Sequence, residues 1–328
     1  MDDCKLDPVV KSAMKRIGLV LILLVFVGSV SCNCAQLLKI HHIDVGQGDC
    51  TLIVSPTGKT VLIDSGTTGK GKTLVLPHLK RLGIKRLDYV VASHYHLDHI
   101  GGLDEVMKGI GSKNIGTVLD RGNKPAPPTG KAYTDYATAA SGHRFKPTAG
   151  KTINLGGGCS MKCVANDGRV LGSGNVANAV KSENDLSLAW LLVYGSFNYY
   201  TGGDCGGESK NYADLETPMA PVVGMVDAMK VDHHASNYST NQVFLNALNP
   251  TAVIVEVGNG NTYHHPVQTV LDRLAKKHCD VYLTEKGSGG KLASGAGWIA
   301  NGNILISTDG TSTFCVRFGQ NTHTYPLH

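Results

Sequence analysis

The 328-residue sequence contains no Cys-x-x-Cys pair, which removes a cysteine-ligated zinc ribbon from consideration. It also lacks any block of basic residues. Its 31 Lys and Arg stand against 26 Asp and Glu, a net charge of +5, so charge neither supports nor excludes a polyanionic substrate. No internal repeat is visible. Beyond the N-terminal segment, no stretch is long and apolar enough to cross a bilayer. A hydrophobic fraction of 42% with 17% charged residues excludes a disordered chain. What the sequence has in excess is glycine, 40 residues, which points away from helical bundles and toward a turn-rich, sheet-containing enzyme.

The N-terminus has the order of an export signal. Lys11, Lys15 and Arg16 precede an apolar run over residues 17–27, and small residues and cysteines follow to Ala35. The run is shorter than the roughly 20 residues of a spanning helix. The reading is a signal peptide or N-terminal anchor over residues 1–35, with Cys32 a poor match to a lipidation site, followed by one domain over residues 36–328. The chain is therefore expected to be exported: extracellular, periplasmic or attached to the envelope membrane through that segment. In an oxidising compartment the six cysteines past Ala35 are enough for three disulfides, with Cys159 and Cys163 close enough to bridge across a tight turn. The alternative is that most of them are small buried apolar residues.

Three β-rich runs, residues 37–44, 50–55 and 60–64, are separated by turn sequences and predict an antiparallel meander. A helix interrupted at Pro77 is expected over residues 73–82, and a buried strand over 87–93. A helix over 103–110 and a strand over 117–120 come next. Residues 121–147 read as a long loop of functional or irregular character. Strands over 186–194, 197–202, 228–231 and 252–257, a helix opened by Pro266, and three short terminal strands complete the pattern. Two similar halves of strands and helices predict two packed sheets covered by helices.

The chemistry is concentrated in Ser93-His94-Tyr95-His96-Leu97-Asp98-His99-Ile100-Gly101-Gly102, directly after an apolar strand. Neutral imidazoles and a carboxylate suit zinc, and also manganese or iron. His94 and His96, two apart on an irregular loop, reach one ion, and Asp98 and His99 turn toward a second. This His-x-His-x-Asp-His pattern resembles the signature of the metallo-β-lactamase superfamily. The resemblance implies an α/β fold, a four-layer αββα sandwich of two mixed β-sheets flanked by helices.

It also implies further site residues. Asp64 matches the family's first-motif aspartate, which orients the metal loop. Asp204, in Thr201-Gly202-Gly203-Asp204, matches the aspartate that bridges both metals, with one extra glycine. His265, in Tyr263-His264-His265-Pro266, matches the last histidine of the family. The usual third-motif histidine is absent, and Glu183-Asn184-Asp185 occupies its stretch. Lys230-Val231-Asp232-His233-His234-Ala235-Ser236 instead offers two histidines after a short strand. That arrangement, with residues 43–49, Asn184-Asp185-Leu186-Ser187 and residues 307–310, resembles the hydrolase domain of competence-type DNA-internalisation proteins and related phosphodiesterases such as phosphorylcholine esterases. The branch usually has glycine at positions 235 and 264, where this chain has alanine and histidine.

The resemblance implies one metal on His94, His96, Asp204 and one of His233 or His234, with His233 preferred. The second takes Asp98, His99, Asp204 and His265. The two divalent ions, zinc or alternatively manganese, would hold a bridging hydroxide between them. Asp98 and Asp204 carry the catalytic roles. Gln47 and Asp49 are placed at the rim of the site by resemblance, and otherwise read as plain turn residues. Tyr133 and Tyr136 are candidates to stack on a base or close around a choline-like cation, and otherwise anchor the long loop. Lys230 reads as a solvated strand-end lysine or a phosphate contact. The expected activity is metal-dependent phosphodiester hydrolysis, by a phosphodiesterase or nuclease, on DNA or an envelope polymer, with no protein partner evident. The competing readings are hydrolysis of a lactone, thioester or β-lactam, and a catalytically silent metal-binding module.

Overall fold

The computed structural model describes residues 37–176, 181–207, 209 and 211–328. The expected export segment, residues 1–35, lies outside them. Among the described residues no helix is long and apolar enough to cross a membrane.

The predicted meander is present as β1 (Leu38–His42), β2 (Thr51–Val54) and β3 (Thr60–Ile63), paired antiparallel. From β3 onward the same sheet turns parallel through β4 (Leu87–Val91), β5 (Ile115–Leu119) and β6 (Arg144–Phe145). The second sheet repeats this change of direction. Its antiparallel part holds β7 (Thr152–Gly156), β8 (Cys159–Asn166), β9 (Arg169–Val170), β10 (Gly174–Asn175), β11 (Ala189–Tyr194) and β12 (Phe197–Thr201). Its parallel part runs from β12 through β13 (Ala228–Lys230), β14 (Ala252–Val255), β15 (Asp280–Leu283) and β16 (Gly297–Ile299). The closing strands β17 (Ile304–Thr308), β18 (Thr313–Phe318) and β19 (Asn321–Pro326) return to the first sheet beside β1. Both sheets are mixed, as the family resemblance implies.

Three apolar layers hold this together. Between the sheets, Ile40, Ile53 and Val61 of one pack against Trp190, Phe197, Tyr199 and Ile254 of the other, all fully buried. Helices cover the outer faces. In Leu103–Ile110 the apolar residues Leu103, Val106 and Met107 recur at helical spacing and are buried against the first sheet, while Asp104, Glu105 and Lys108 complement the helix dipole. Glu105 also accepts the backbone N–H groups of Gly69 (2.6 Å) and Lys72 (2.8 Å), tying down the start of the preceding helical segment. On the far side Met219, Phe244, Leu248, Val270 and Leu274 cover the second sheet.

The structure corrects two expectations. The stretch read as a loop over residues 121–147 contains a helix, Lys131–Ala139, and β6. That helix buries only Tyr136, so it carries almost no apolar stripe to announce it. The cysteines are also unpaired: Cys50, Cys159, Cys163, Cys205, Cys279 and Cys315 are free thiols, and all but Cys315 are buried. Cys159 and Cys163 do not flank a turn but lie on one extended strand, where four residues span about 13 Å. Burial pushes both thiols, and that of Cys279, up to about 12.

Two predictions follow from this packing. Trp190→Ala empties the centre of the inter-sheet layer and is expected to cost about 3–5 kcal/mol, read from the urea unfolding midpoint. Glu216 is fully buried and accepts the N–H groups of Thr240 and Asn241, yet burial raises its carboxyl to about 8. A raised carboxyl contributes stability that is complete below its unfolded value, about 4.3, and is lost as pH climbs through the folded one. Glu216→Gln is therefore expected to flatten the fall in unfolding free energy across that pH window.

Candidate metal centre

The metal-facing residues of the site follow the carboxyl ends of strands in the parallel parts of the sheets, while Gln47 and Asp49 come from the turn between β1 and β2. Asp64 follows β3, Ser93 to His99 follow β4, and Asp204 follows β12. His233 and His234 follow β13, and Glu256 follows β14. The two sheets thus deliver their strand ends to one place, the usual position for sites in open α/β sheets.

The metal loop is held from below by Asp64. Its Oδ1 accepts the N–H of Ser93 (2.8 Å), and its Oδ2 accepts the Ser93 hydroxyl (2.6 Å) and meets His99 Nδ1 at 2.9 Å. With Nδ1 fixed, His99 turns Nε2 into the site. This atom is buried and has no hydrogen-bond partner, and the same holds for Nε2 of His234 and Oδ1 of Asp204. These orphaned atoms face one another. His99 Nε2 lies 3.3 Å from Asp204 Oδ1 and 3.9 Å from Asp98 Oδ1. His234 Nε2 lies 3.5 Å from Asp98 Oδ2 and 3.7 Å from Asp204 Oδ1. The other carboxylate oxygen, Asp204 Oδ2, faces His94 Nε2 at 3.7 Å and His233 Nε2 at 3.6 Å, and His94 Nε2 is 3.0 Å from His96 Nδ1. Donors about 2.0–2.1 Å from a zinc ion at tetrahedral angles stand about 3.3 Å apart. The observed separations have that size, so both groups fit a divalent cation.

Two local features make this arrangement possible. At the strand end, a Cβ on Gly202 would lie 2.0 Å from the Tyr200 hydroxyl, and Gly203 has φ +58 with its Cβ position 2.7 Å from Ser93. Both glycines of Thr-Gly-Gly-Asp are therefore required to bring Asp204 beneath the loop. At the histidine pair, His233, His234 and Ala235 all have positive φ, +51, +52 and +61. Each costs on the order of 1–2 kcal/mol for an L-residue. The turn is held by His233 N–H to Gly203 O (3.1 Å), Ser236 N–H to His233 O (2.8 Å) and Val267 N–H to Ala235 O (2.9 Å). Its effect is to point two adjacent imidazoles at different oxygens of Asp204. Ala235 itself sits in the left-handed conformation that explains glycine at this position elsewhere in the branch.

His234 occupies the place beside Asp98 and His99 to which the family pattern assigns His265. His265 stands behind it, its ring stacked on that of His234 at 6.0 Å and 5.6 Å from that of His233, and it lines the same cavity. Burial, reinforced by His234 and His233, lowers the His265 imidazole to about 3. Burial likewise holds His94 low. Burial opposes the charged form of His99 and His234 as well, but the surrounding carboxylates win, raising His99 well above its usual value and His234 to about 10.

Asp49 is not at the rim. It is 2% exposed, and its Oδ1 meets His234 Nδ1 at 3.1 Å, while its Oδ2 meets Lys230 Nζ at 2.6 Å and lies 3.6 Å from His99 Nδ1. Lys230 is not solvated either. It is 2% exposed and donates to the carbonyls of Gly203 and Val231, both at 3.1 Å. Gln47 does line the cavity; its Oε1 accepts the N–H of Gly258, and its Nε2 is buried without a partner. Tyr133 and Tyr136 take the anchoring role. Tyr136 is fully buried and donates to Asp120 (2.7 Å), and Tyr133 packs on Tyr95 and donates to Asn123 (3.0 Å).

Sequence reasoning missed several contributors. Glu256 is buried and accepts from Cys50 N–H (2.7 Å) and the Thr51 hydroxyl (2.8 Å) and pairs with His42 (2.7 Å), joining the second sheet to the first just under the site. A lone acid ending an apolar strand was the available signal. Asn184, in the stretch of the missing third histidine, brings its amide nitrogen 3.2 Å from His233 Nε2. The cavity above these groups holds about 500 Å³, and its walls include Tyr212, Tyr238 and Tyr263.

Lys230→Met leaves the buried Asp49 carboxylate without its cation and is expected to cost about 3–5 kcal/mol in urea unfolding. Asp49→Asn in the same chain is expected to recover much of that loss, a coupling that a double-mutant cycle measures.

Residues 43–151 match the family described as the Metallo-beta-lactamase superfamily. The chain is similar to ComE operon protein 3 of Bacillus subtilis, 27% identical over 80% of this chain and 35% of that protein. It is similar to Recombination protein 2 of Haemophilus influenzae, 29% identical over 72% of this chain and 26% of that protein. The chain thus spans about a third or less of the length of these relatives. Among solved structures it is similar to the metallo-beta-lactamase fold protein YhfI from Bacillus subtilis, with 13% identity, a TM-score of 0.46, and coverage of 83% of this chain and 100% of that one. A third of the chain, residues 43–151, thus matches the metallo-beta-lactamase superfamily, and over most of its length the chain is similar to these proteins and to Competence protein ComA of Neisseria gonorrhoeae.

Proposed function

We propose that this chain is a two-metal phosphodiesterase that acts outside the cytoplasm on a phosphodiester polymer, DNA or an envelope component. The observation that carries the reading is Asp204, whose two oxygens each face a separate histidine group. One divalent ion, zinc or manganese, would be held by His94, His96, His233 and Asp204. The other would be held by Asp98, His99, His234 and Asp204, with His265 beside it. When bound, such a pair supplies Lewis acidity at a phosphoryl oxygen and a water ionised near neutral pH.

The chain's own residues do the rest. Asp64 orients His99, and the Glu256 carbonyl orients His234 through Nδ1 (2.8 Å), with Asp49 beside that nitrogen at 3.1 Å. Gln47 lines the cavity wall, and the Asn184 amide lies beside the His233 ring. His265 lines the cavity beside His234 and His233. The likeness to competence proteins supports a polymeric substrate, and the apolar run over residues 17–27 supports export, with the domain beginning near residue 36.

Asp204→Asn tests the reading. Metal content is expected to fall from two ions per chain, and hydrolysis of bis-p-nitrophenyl phosphate to drop by about a thousandfold or more. Two ions with turnover of lactones or thioesters instead would move the activity to carbonyl substrates. Wild-type protein that binds no metal would identify a silent module.

A further inference from the structure

The mouth of the metal cavity carries large apolar surface that a site of carboxylates and imidazoles does not need. Tyr263 is 64% exposed and Leu97 is 52% exposed. Tyr263 is nevertheless not loose. Its ring lies 5.7 Å from that of His265 at an interplanar angle of 24°, and His265 lies 6.0 Å from His234 at 29°. Three rings thus form a nearly parallel pile that begins at the buried histidine and ends at the surface. The backbone of His265 is fixed in turn by Asn261, which accepts its main-chain N–H (2.9 Å) and donates to its main-chain carbonyl (2.8 Å). The outermost ring of this pile rests on His265 and is largely uncovered.

Beside it is a second depression of about 340 Å³, which shares Gln47, Leu97, Asp98 and Tyr263 with the metal cavity. Its remaining wall comes from Thr67 and residues 259–262, all uncharged and rich in amide and hydroxyl groups. Its one acid, Asp98, is already engaged by His234 and His99. A quaternary ammonium group is held by several rings around one point, with unpaired negative charge an added benefit. This depression offers one uncovered ring, one leucine and neutral hydrogen-bonding groups. That combination fits a flat, neutral heterocycle with its own donors and acceptors.

We propose that this depression is a nucleoside subsite, in which a nucleobase stacks on Tyr263 and its 5′ or 3′ phosphodiester reaches across Gln47 and Asp98 to the metal cluster. The proposal rests on the phosphodiesterase reading and narrows it to nucleic acid. Stacking of this kind is tolerant of base identity, so the subsite selects nucleotides over base-free phosphodiesters without choosing among bases.

The test uses the full chain loaded with zinc and two labelled hexamers with an uncharged methylphosphonate backbone, one of thymidine and one abasic. Wild type is expected to bind the thymidine hexamer about tenfold more tightly. Tyr263→Phe keeps that preference, and Tyr263→Ala reduces it to within about twofold. Equal binding of both hexamers by wild type, or an undiminished preference in Tyr263→Ala, overturns the subsite. So does displacement of the thymidine hexamer by phosphorylcholine through a Tyr263-dependent contact, which makes the depression a cation site. Methyl p-nitrophenyl phosphate turnover by the wild-type chain separates the two readings. A Tyr263-dependent base preference in a chain that cleaves no phosphodiester retires the hydrolase assignment alone. Cleavage without base preference retires the subsite alone.

Discussion

His99 is surrounded by four buried or largely buried carboxylates, those of Asp49, Asp64, Asp98 and Asp204, at 2.9–3.9 Å. Four negative charges cannot share a water-poor pocket without compensation, because burying each ion costs several kcal/mol before any mutual repulsion. The chain supplies a permanent cation, Lys230, on the Asp49 side. On the Asp98 and Asp204 side it supplies only imidazoles, and these must be neutral to ligate a metal. The remaining negative charge is what a divalent cation neutralises. Much of the surrounding architecture follows from setting these four carboxylates around one ring without letting them drift apart. The paired Ser93 contacts to Asp64, the buried Lys230, and Glu256 locking the sheet edges together all serve that end.

The part of this that was legible in the sequence is the part that is local in it. The His-x-His-x-Asp-His loop announces itself because four donor side chains fall within six residues after an apolar strand. The strand pattern and the helices at Leu103–Ile110 and Gln268–Lys276 were legible for the same reason, since periodicity is a short-range signal, although the second begins two residues after Pro266 rather than at it. Asp49 and Lys230 are separated by most of the chain, and a strand-end lysine in isolation has no feature that distinguishes a buried partner from a solvated one. Glu256 reaches a backbone N–H 206 positions away. The same distance hides Tyr263, which neighbours the ligand-type histidine in sequence but acquires meaning only once His265 and His234 stack beneath it. The cysteines misled in the opposite direction: their spacing allowed a framework, and the strand geometry of β8 forbids the nearest pair.

The duplicated plan of the sheets explains why the site assembles at all. Each sheet is antiparallel on one side and parallel on the other, and the parallel parts end at the same level. Parallel strands deliver successive carboxyl ends to one edge, so loops that follow them are collected together without long connections. One sheet contributes Asp64 and the histidine loop, and the other contributes Asp204, His233 and His234. Neither sheet alone holds a complete set, and the apolar layer containing Trp190 and Ile254 fixes the two halves against each other.

The left-handed turn at residues 233–235 completes that logic. Adjacent side chains on an extended strand point to opposite faces, and on a helix they diverge by about 100°. Neither geometry lets two neighbouring imidazoles reach two oxygens of one carboxylate. Positive φ at both residues bends the backbone tightly enough for His233 to meet Oδ2 and His234 to meet Oδ1 of Asp204. This single strained turn brings two imidazoles to Asp204 in a chain that has no histidine in the third-motif stretch. Where the resemblance leads one to expect a histidine, the chain has Asn184, and His233 faces Asp204 from the other side of the site with the Asn184 amide beside its ring. The strain is sustained because the turn is buried, tied to Gly203 and Val267, and anchored through Asp49 and Lys230, so the conformational cost at Ala235 is borne by the same contacts that hold the metal ligands in place.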